Sequence, residues 1–151
     1  MPITNVRATW SGGKLQFVAE DTGTVVAELD VTGLEPRDIA KETVSANKTL
    51  DAQDSGKIMD VDTDAVVITL PATVVGYIYT IRNVAADGAA KVSIDPDSND
   101  KIIGDDDAGV DDKDLISTKT TAKKGDYIKL IGDGVLGWYV MEKNGTWDAE
   151  A

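Results

Sequence analysis

Asp95, Asp97 and Asn99 stand in the spacing D-x-D-x-N, the opening of a calcium-binding EF-hand loop. In such a loop alternate side chains turn toward one cation. The pattern then departs. Its sixth position is Asp100, where the sharp turn needs glycine, and its twelfth is Asp106, too short to replace a bidentate glutamate. Asp105, Asp107, Asp111, Asp112 and Asp114 extend the run, so residues 95–114 carry nine Asp and two Lys. A looser calcium site among Asp95, Asp97, Asp105, Asp106, Asp107, Asp111, Asp112 and Asp114 is the alternative, and a solvated acidic loop with no bound metal is the favoured reading. Carboxylate pairs can also hydrolyse glycosides without histidine. With 27 acidic residues some pair will fall at a suitable separation by chance, but a glycosidase also needs an aromatic-lined cleft. The aromatic residues total eight, and most sit where core or turn anchors belong. Gly132, Gly134 and Gly137 match G-x-G-x-x-G literally. A phosphate loop would lead into a helix, whereas Trp138-Tyr139-Val140-Met141 has strand character, and Asp133 would repel phosphate. A hairpin turn is expected there.

The chain has no His and no Cys. That removes the usual general base at neutral pH, every Ser-His-Asp or Cys-His nucleophile system, disulfides and thiolate metal sites. The expectation is a protein that is not an enzyme and holds no cofactor. The net charge of −12 repels phosphate backbones and anionic membranes, so neither nucleic acid nor a membrane is an expected partner. No stretch approaches the ~20 apolar residues of a membrane span. Met1-Pro2-Ile3-Thr4 lacks a basic region followed by an apolar run, which predicts no signal peptide.

The elements that must position these residues are strands. Period-2 alternation dominates, broken at short intervals by Gly, Asp, Asn and Pro. Ala8 to Trp10, Lys14 to Ala19 and Thr24 to Val31 predict a β-hairpin or small meander over residues 6–32, with Ser11-Gly12-Gly13 and Asp21-Thr22-Gly23 as turns. Gly33 and Pro36 break the pattern, and Asp38 to Lys41 could form one helical turn. Residues 1–45 are therefore assigned to an N-terminal β-hairpin arm and linker, and residues 46–151 to the main domain. Strands are expected at Lys57–Asp62, Ala65–Leu70, Tyr77–Asn83 and Ala89–Ile94, with a short one at Lys101–Ile103. Others follow at Leu115–Ala122, Tyr127–Ile131 and Trp138–Lys143. Asn144-Gly145 is a type I′ signal that would fold Thr146-Trp147 back on the last strand. No convincing internal repeat is present. The fold class is all-β, an antiparallel sandwich or barrel with an N-terminal β-hairpin arm.

Trp138 lies in a strand pattern and is expected in the core. Trp10 and Trp147 lie near the chain ends beside glycines, where subunit contact is the first reading and sugar stacking the second. The stretch from Lys48 to Trp147 resembles the β-rich modules of tailed-bacteriophage structural proteins. The resemblance is carried by Lys48-Thr49-Leu50-Asp51-Ala52-Gln53-Asp54-Ser55-Gly56-Lys57, Val67-Ile68-Thr69-Leu70-Pro71, Gly76-Tyr77 and Ile81-Arg82-Asn83. It continues through Ile94-Asp95-Pro96, Asp100-Lys101-Ile102-Ile103-Gly104, Lys124-Gly125-Asp126-Tyr127, Gly137-Trp138-Tyr139 and Asn144-Gly145-Thr146-Trp147. Ala8 to Leu15 looks like the opening of small phage structural proteins. The resemblance is to head decoration (cement) proteins, head fibres and tail-associated proteins. It implies a homotrimer on the outer capsid surface of the virion, assembled in the host cytoplasm. The major capsid protein and further copies of the chain would be its partners. The arm would dock on the capsid or a neighbour, and Trp10, Leu15, Phe17, Val25, Leu29 and Trp147 are the expected capsid or subunit interface. The alternative is a head-fibre or tail-associated module that binds host-surface carbohydrate.

Overall fold

The computed structural model describes residues 6–11, 14–19, 25–30, 39–104 and 109–151. The chain divides into two units, Met1–Asp38 and Ile39–Ala151. The division falls earlier than the boundary expected between residues 45 and 46. Lys41–Val44 is no linker but a strand of the larger unit, because Val44 buries its side chain in that unit's core. The expected helical turn at Asp38–Lys41 is replaced by the start of this strand at Lys41; Asp38 itself lies outside the described residues.

In the first unit, Val6–Ser11 (β1), Lys14–Ala19 (β2) and Val25–Asp30 (β3) form an antiparallel sheet in the order β1-β2-β3. This is the meander that the alternation and the two turn signals predict. A bulge between Phe17 and Val18 shifts the β2–β3 register by one residue.

Among the described residues the regular structure of the larger unit is all strand apart from one 3-10 turn at Ala52–Asp54, which Asp51 and Asp54 cap reciprocally. Its strands are Lys41–Val44 (β4), Lys48–Thr49 (β5), Ile58–Val61 (β6), Val66–Thr69 (β7), Ile78–Asn83 (β8) and Val92–Asp95 (β9). Lys101–Ile103 (β10), Leu115–Ser117 (β11), Tyr127–Gly132 (β12), Gly137–Asn144 (β13) and Asp148–Ala149 (β14) complete it. They build a six-stranded sheet, β10-β13-β12-β8-β6-β4, and a five-stranded sheet, β14-β11-β9-β7-β5. From β4 to β11 the chain changes sheet at every step. Each pair of successive strands within a sheet is therefore separated by a strand of the other. Hence β4, β6 and β8 run parallel, as do β5, β7 and β9.

The all-β class agrees with the sequence; the antiparallel pairing does not extend through the larger unit. Period-2 alternation is identical for parallel and antiparallel strands, so the pattern is blind to direction. Short connections such as residues 62–65 look like hairpin turns but lead into the facing sheet. True hairpin geometry appears between β12 and β13, at the turn expected around Gly132 to Gly137. Gly137 is required there: its φ is +143°, and an added Cβ would collide with the Lys101 carbonyl of β10. Chain winding also supplies a structural repeat that no sequence repeat announces.

The two sheets share one core. Met59 and Val61 of β6, Tyr79 and Ile81 of β8, and Ile128 and Leu130 of β12 point inward from the first sheet. Val66 and Ile68 of β7 and Val92 and Ile94 of β9 meet them from the second. Trp138 is fully buried, its ring centroid 5.1 Å from that of Tyr79. The Tyr79 hydroxyl donates to the Asp51 carbonyl at 2.8 Å, and burial pushes its pKa up to about 12. No described helix is long and apolar enough to cross a membrane.

Candidate interaction surfaces

The β1–β2–β3 register sets Trp10 opposite Leu15 and Leu15 opposite Leu29. Three of the six expected interface residues thus form one cross-strand row. Phe17, half-buried, lies opposite Ala8 and Ala27, and Val25 lies opposite Val18. Trp147 does not join them. It is 5% exposed, packs in the core of the larger unit, and donates its Nε1–H to the Asn144 carbonyl at 3.0 Å. The Asn144-Gly145 turn does not fold the chain back on β13. It carries the chain across to the five-stranded sheet, where β14 pairs with β11 and draws Trp147 inward. Trp147 is therefore neither a free contact nor a stacking platform.

Beside Trp147 is a cleft of about 240 Å³. Ile102, Val110 and Val140 are among its apolar lining, and Lys113, Asp114 and Lys143 among its charged lining. It falls below the ~300–1,000 Å³ of typical small-molecule sites.

The acidic stretch is partly strand: Asp95 ends β9, and Lys101 begins β10. Asp105, Asp106 and Asp107 lie outside the described residues. Asp97 accepts from the Asn99 amide at 3.2 Å, a local turn in which the Asx side chain serves the backbone. Among the described residues, no three carboxylates are placed to hold a metal ion. Asp100 is buried and accepts the Thr73 amide at 2.6 Å. Burial raises its pKa, with Asp97 and Asp133 adding to the effect. The Trp138 indole N–H lies near enough to oppose that rise, yet it falls outside hydrogen-bond geometry. Asp133, expected to repel phosphate, accepts the amides of Val135, Leu136 and Gly137 at 2.8, 2.8 and 3.0 Å. Those donors hold its pKa down, and the loop's own backbone fills the anion's role.

Asp114 is half-buried, and burial raises its pKa above the ordinary 3.8, helped by Asp95 and Glu150. A raised carboxylate pKa means that the folded state binds the proton more tightly than the unfolded one. Its contribution to stability therefore falls as pH rises from 3.8 through the folded pKa, and the penalty is complete at neutral pH. Asp114→Asn should raise the melting temperature at pH 7 by on the order of 1–2 °C, and leave it unchanged in acid below both pKa values. Equal shifts at both pH values, in thermal melts followed by circular dichroism, would show that charge is not the cause.

The large apolar side chains that reach solvent include a group at one end of the six-stranded sheet. Val74 and Val75 precede β8, and Val135 and Leu136 sit in the β12–β13 turn. The two loops are joined by the Gly76 amide donating to the Gly132 carbonyl at 3.0 Å. Val75 and Val135 are 76% and 80% exposed. Sequence reading missed them because two-residue apolar pairs inside turns carry no periodic signal. No family model, curated protein or solved structure matches the chain.

Proposed function

We propose that the chain is a capsid decoration (cement) protein of a tailed bacteriophage, which binds the outer capsid lattice as a homotrimer and stabilises the head. The observation that carries the reading is the separate first unit with its row of Trp10, Leu15 and Leu29. A chain segment below about 40 residues rarely buries enough surface to be stable alone. Met1–Asp38 is such a segment, so docking its apolar residues on a partner surface would stabilise both. A lattice repeats that partner surface many times, so modest individual contacts add up by avidity. The larger unit supplies a packed, acidic body that stays soluble at high local density.

The test is co-sedimentation of the purified chain with bare capsids, joined to its copy number in purified particles. Saturable binding over the whole lattice is expected. A few copies confined to the tail or one vertex would favour the fibre or tail module that attaches to host carbohydrate. No binding to capsids and absence from particles would sink both.

A further inference from the structure

The outward side chains of the six-stranded sheet lie in three cross-strand rows. The first is Ile78–Ile131–Tyr139–Ile103, apolar across four strands. The next is Lys41–Ile58–Thr80–Lys129–Glu142. The third places Asp60, Arg82 and Tyr127 side by side. Apart from Asp60, which is buried beside its partner Arg82, these residues alternate with the buried set and so face away from the core, and Tyr139 is 38% exposed. Arg82 is paired to Asp60 at 2.8 Å and Lys129 to Glu142 at 3.9 Å. Three cations thus stand against two carboxylates in these rows. On a chain of net −12 this face is locally positive.

The five-stranded sheet presents the converse. Its outward rows are Val67–Ser93–Ile116–Asp148 and Thr49–Thr69–Asp95. Val67 and Ile116, both half-buried, flank Ser93, which is itself buried, and form a shorter apolar stripe. The charges at the outward strand positions are Asp95 and Asp148, with no Lys or Arg among them.

We propose that the outer face of the six-stranded sheet binds the outer face of the five-stranded sheet of a second copy of this chain. Apolar stripe meets apolar stripe, and the cations beside the first meet the carboxylates beside the second. A five-stranded face against its like would oppose Asp95 and Asp148 to themselves. A six-stranded face against its like would leave the excess cation unmatched. Only the unlike pairing satisfies both faces. Such a contact is head-to-tail between faces on opposite sides of one core, so copies stack in an open series whose ends keep one face of each kind free, unless the crossing angle closes a ring. The inference deepens the self-association in the proposed function and rests on that part of it.

The experiment uses the full chain with Tyr139→Glu on one face and Ile116→Lys on the other, read by sedimentation velocity alone and as an equimolar mixture. Each variant alone should lose association by about tenfold or more, as for truncation of a central contact. The mixture should form a pair, because each variant supplies the intact face that the other lacks. Ile131→Thr and Ile116→Thr keep β-branched strand residues and serve where a charged variant fails to fold. Dissociation by Tyr139→Glu with no effect of Ile116→Lys, and no rescue on mixing, would mean that the six-stranded face meets itself. A monomeric wild type, or indifference to both changes, would mean that the face does not bind a second copy. Either result overturns the proposal. Capsid co-sedimentation of the wild type is run in parallel. A monomer that still pellets with capsids sinks this inference alone, and assembly without capsid binding sinks the decoration reading alone.

Discussion

Removing residues 1–38 is expected to abolish co-sedimentation with bare capsids while residues 39–151 stay folded. The second half of that outcome follows from the core. Every side chain of the main hydrophobic cluster, from Val44 to Trp147, belongs to the larger unit. The first half follows from the composition of the arm, where apolar Trp10, Leu15, Phe17, Val25 and Leu29 are the candidate anchors. Apolar burial is not screened by ions. Exposed charge pairs are, because the Debye length is ~8 Å at physiological ionic strength. Binding of the intact chain should therefore persist in high salt. Release of the intact chain by salt would refute an apolar anchor and point to charge instead. Undiminished binding by the truncated chain would show that the larger unit makes the capsid contact, with the exposed Val75 and Val135 loops the next place to look.

Trp138→Ala should cost about 3–5 kcal/mol in denaturant unfolding, a large part of the total stability of a domain. The side chain is fully buried, and Tyr79 packs against it. Its loss leaves a void between two sheets that are fixed by their ladders and cannot collapse inward. Trp138→Phe should cost far less, about 1 kcal/mol, because an indole N–H with no hydrogen-bond partner in good geometry is removed along with the volume. Near-equal costs for the two changes would show that the site repacks, and that Trp138 is not the wedge holding the sheets apart.

Most strands were legible in the sequence, the three-residue β10 at Lys101–Ile103 included, and the two-residue ones were not. Tyr79, Ile81, Ile128 and Leu130 fall on the buried face that alternation assigns them, and Trp138 is in the core as its strand pattern requires. β5 and β14 have two residues each, too few for alternation to register. Missing β14 is what misplaced Trp147. With no sign of a strand after the Asn144-Gly145 turn, a glycine neighbour near a chain end looks like exposure. The winding of β4 to β9 was hidden for a different reason. Strand direction is set by where a connection lands, and the residues of a short connection do not encode its destination. On the candidate surfaces, the Trp10–Leu15–Leu29 row was within reach, because the turn at residues 11–13 fixes the register once the hairpin is recognised. The outward row of Ile78, Ile131, Tyr139 and Ile103 was not. Each of its residues is a lone apolar side chain on a polar face, and only the pairing of four strands collects them.

The winding leaves the two sheets of the larger unit with four borders, and all are short, whereas the first unit's sheet ends in the six-residue β1 and β3. The six-stranded sheet ends in β4 and β10, of four and three residues, and the five-stranded sheet in the two-residue β5 and β14. Unpaired backbone donors and acceptors on a border strand invite another chain to add itself and propagate a fibre. Here the invitation spans at most four residues and is crossed by charge, with Lys41 and Glu42 on β4, Lys101 on β10 and Asp148 on β14. Runaway cross-β stacking needs longer, flatter and more neutral templates. The larger unit is thereby guarded against cross-β stacking through its sheet borders.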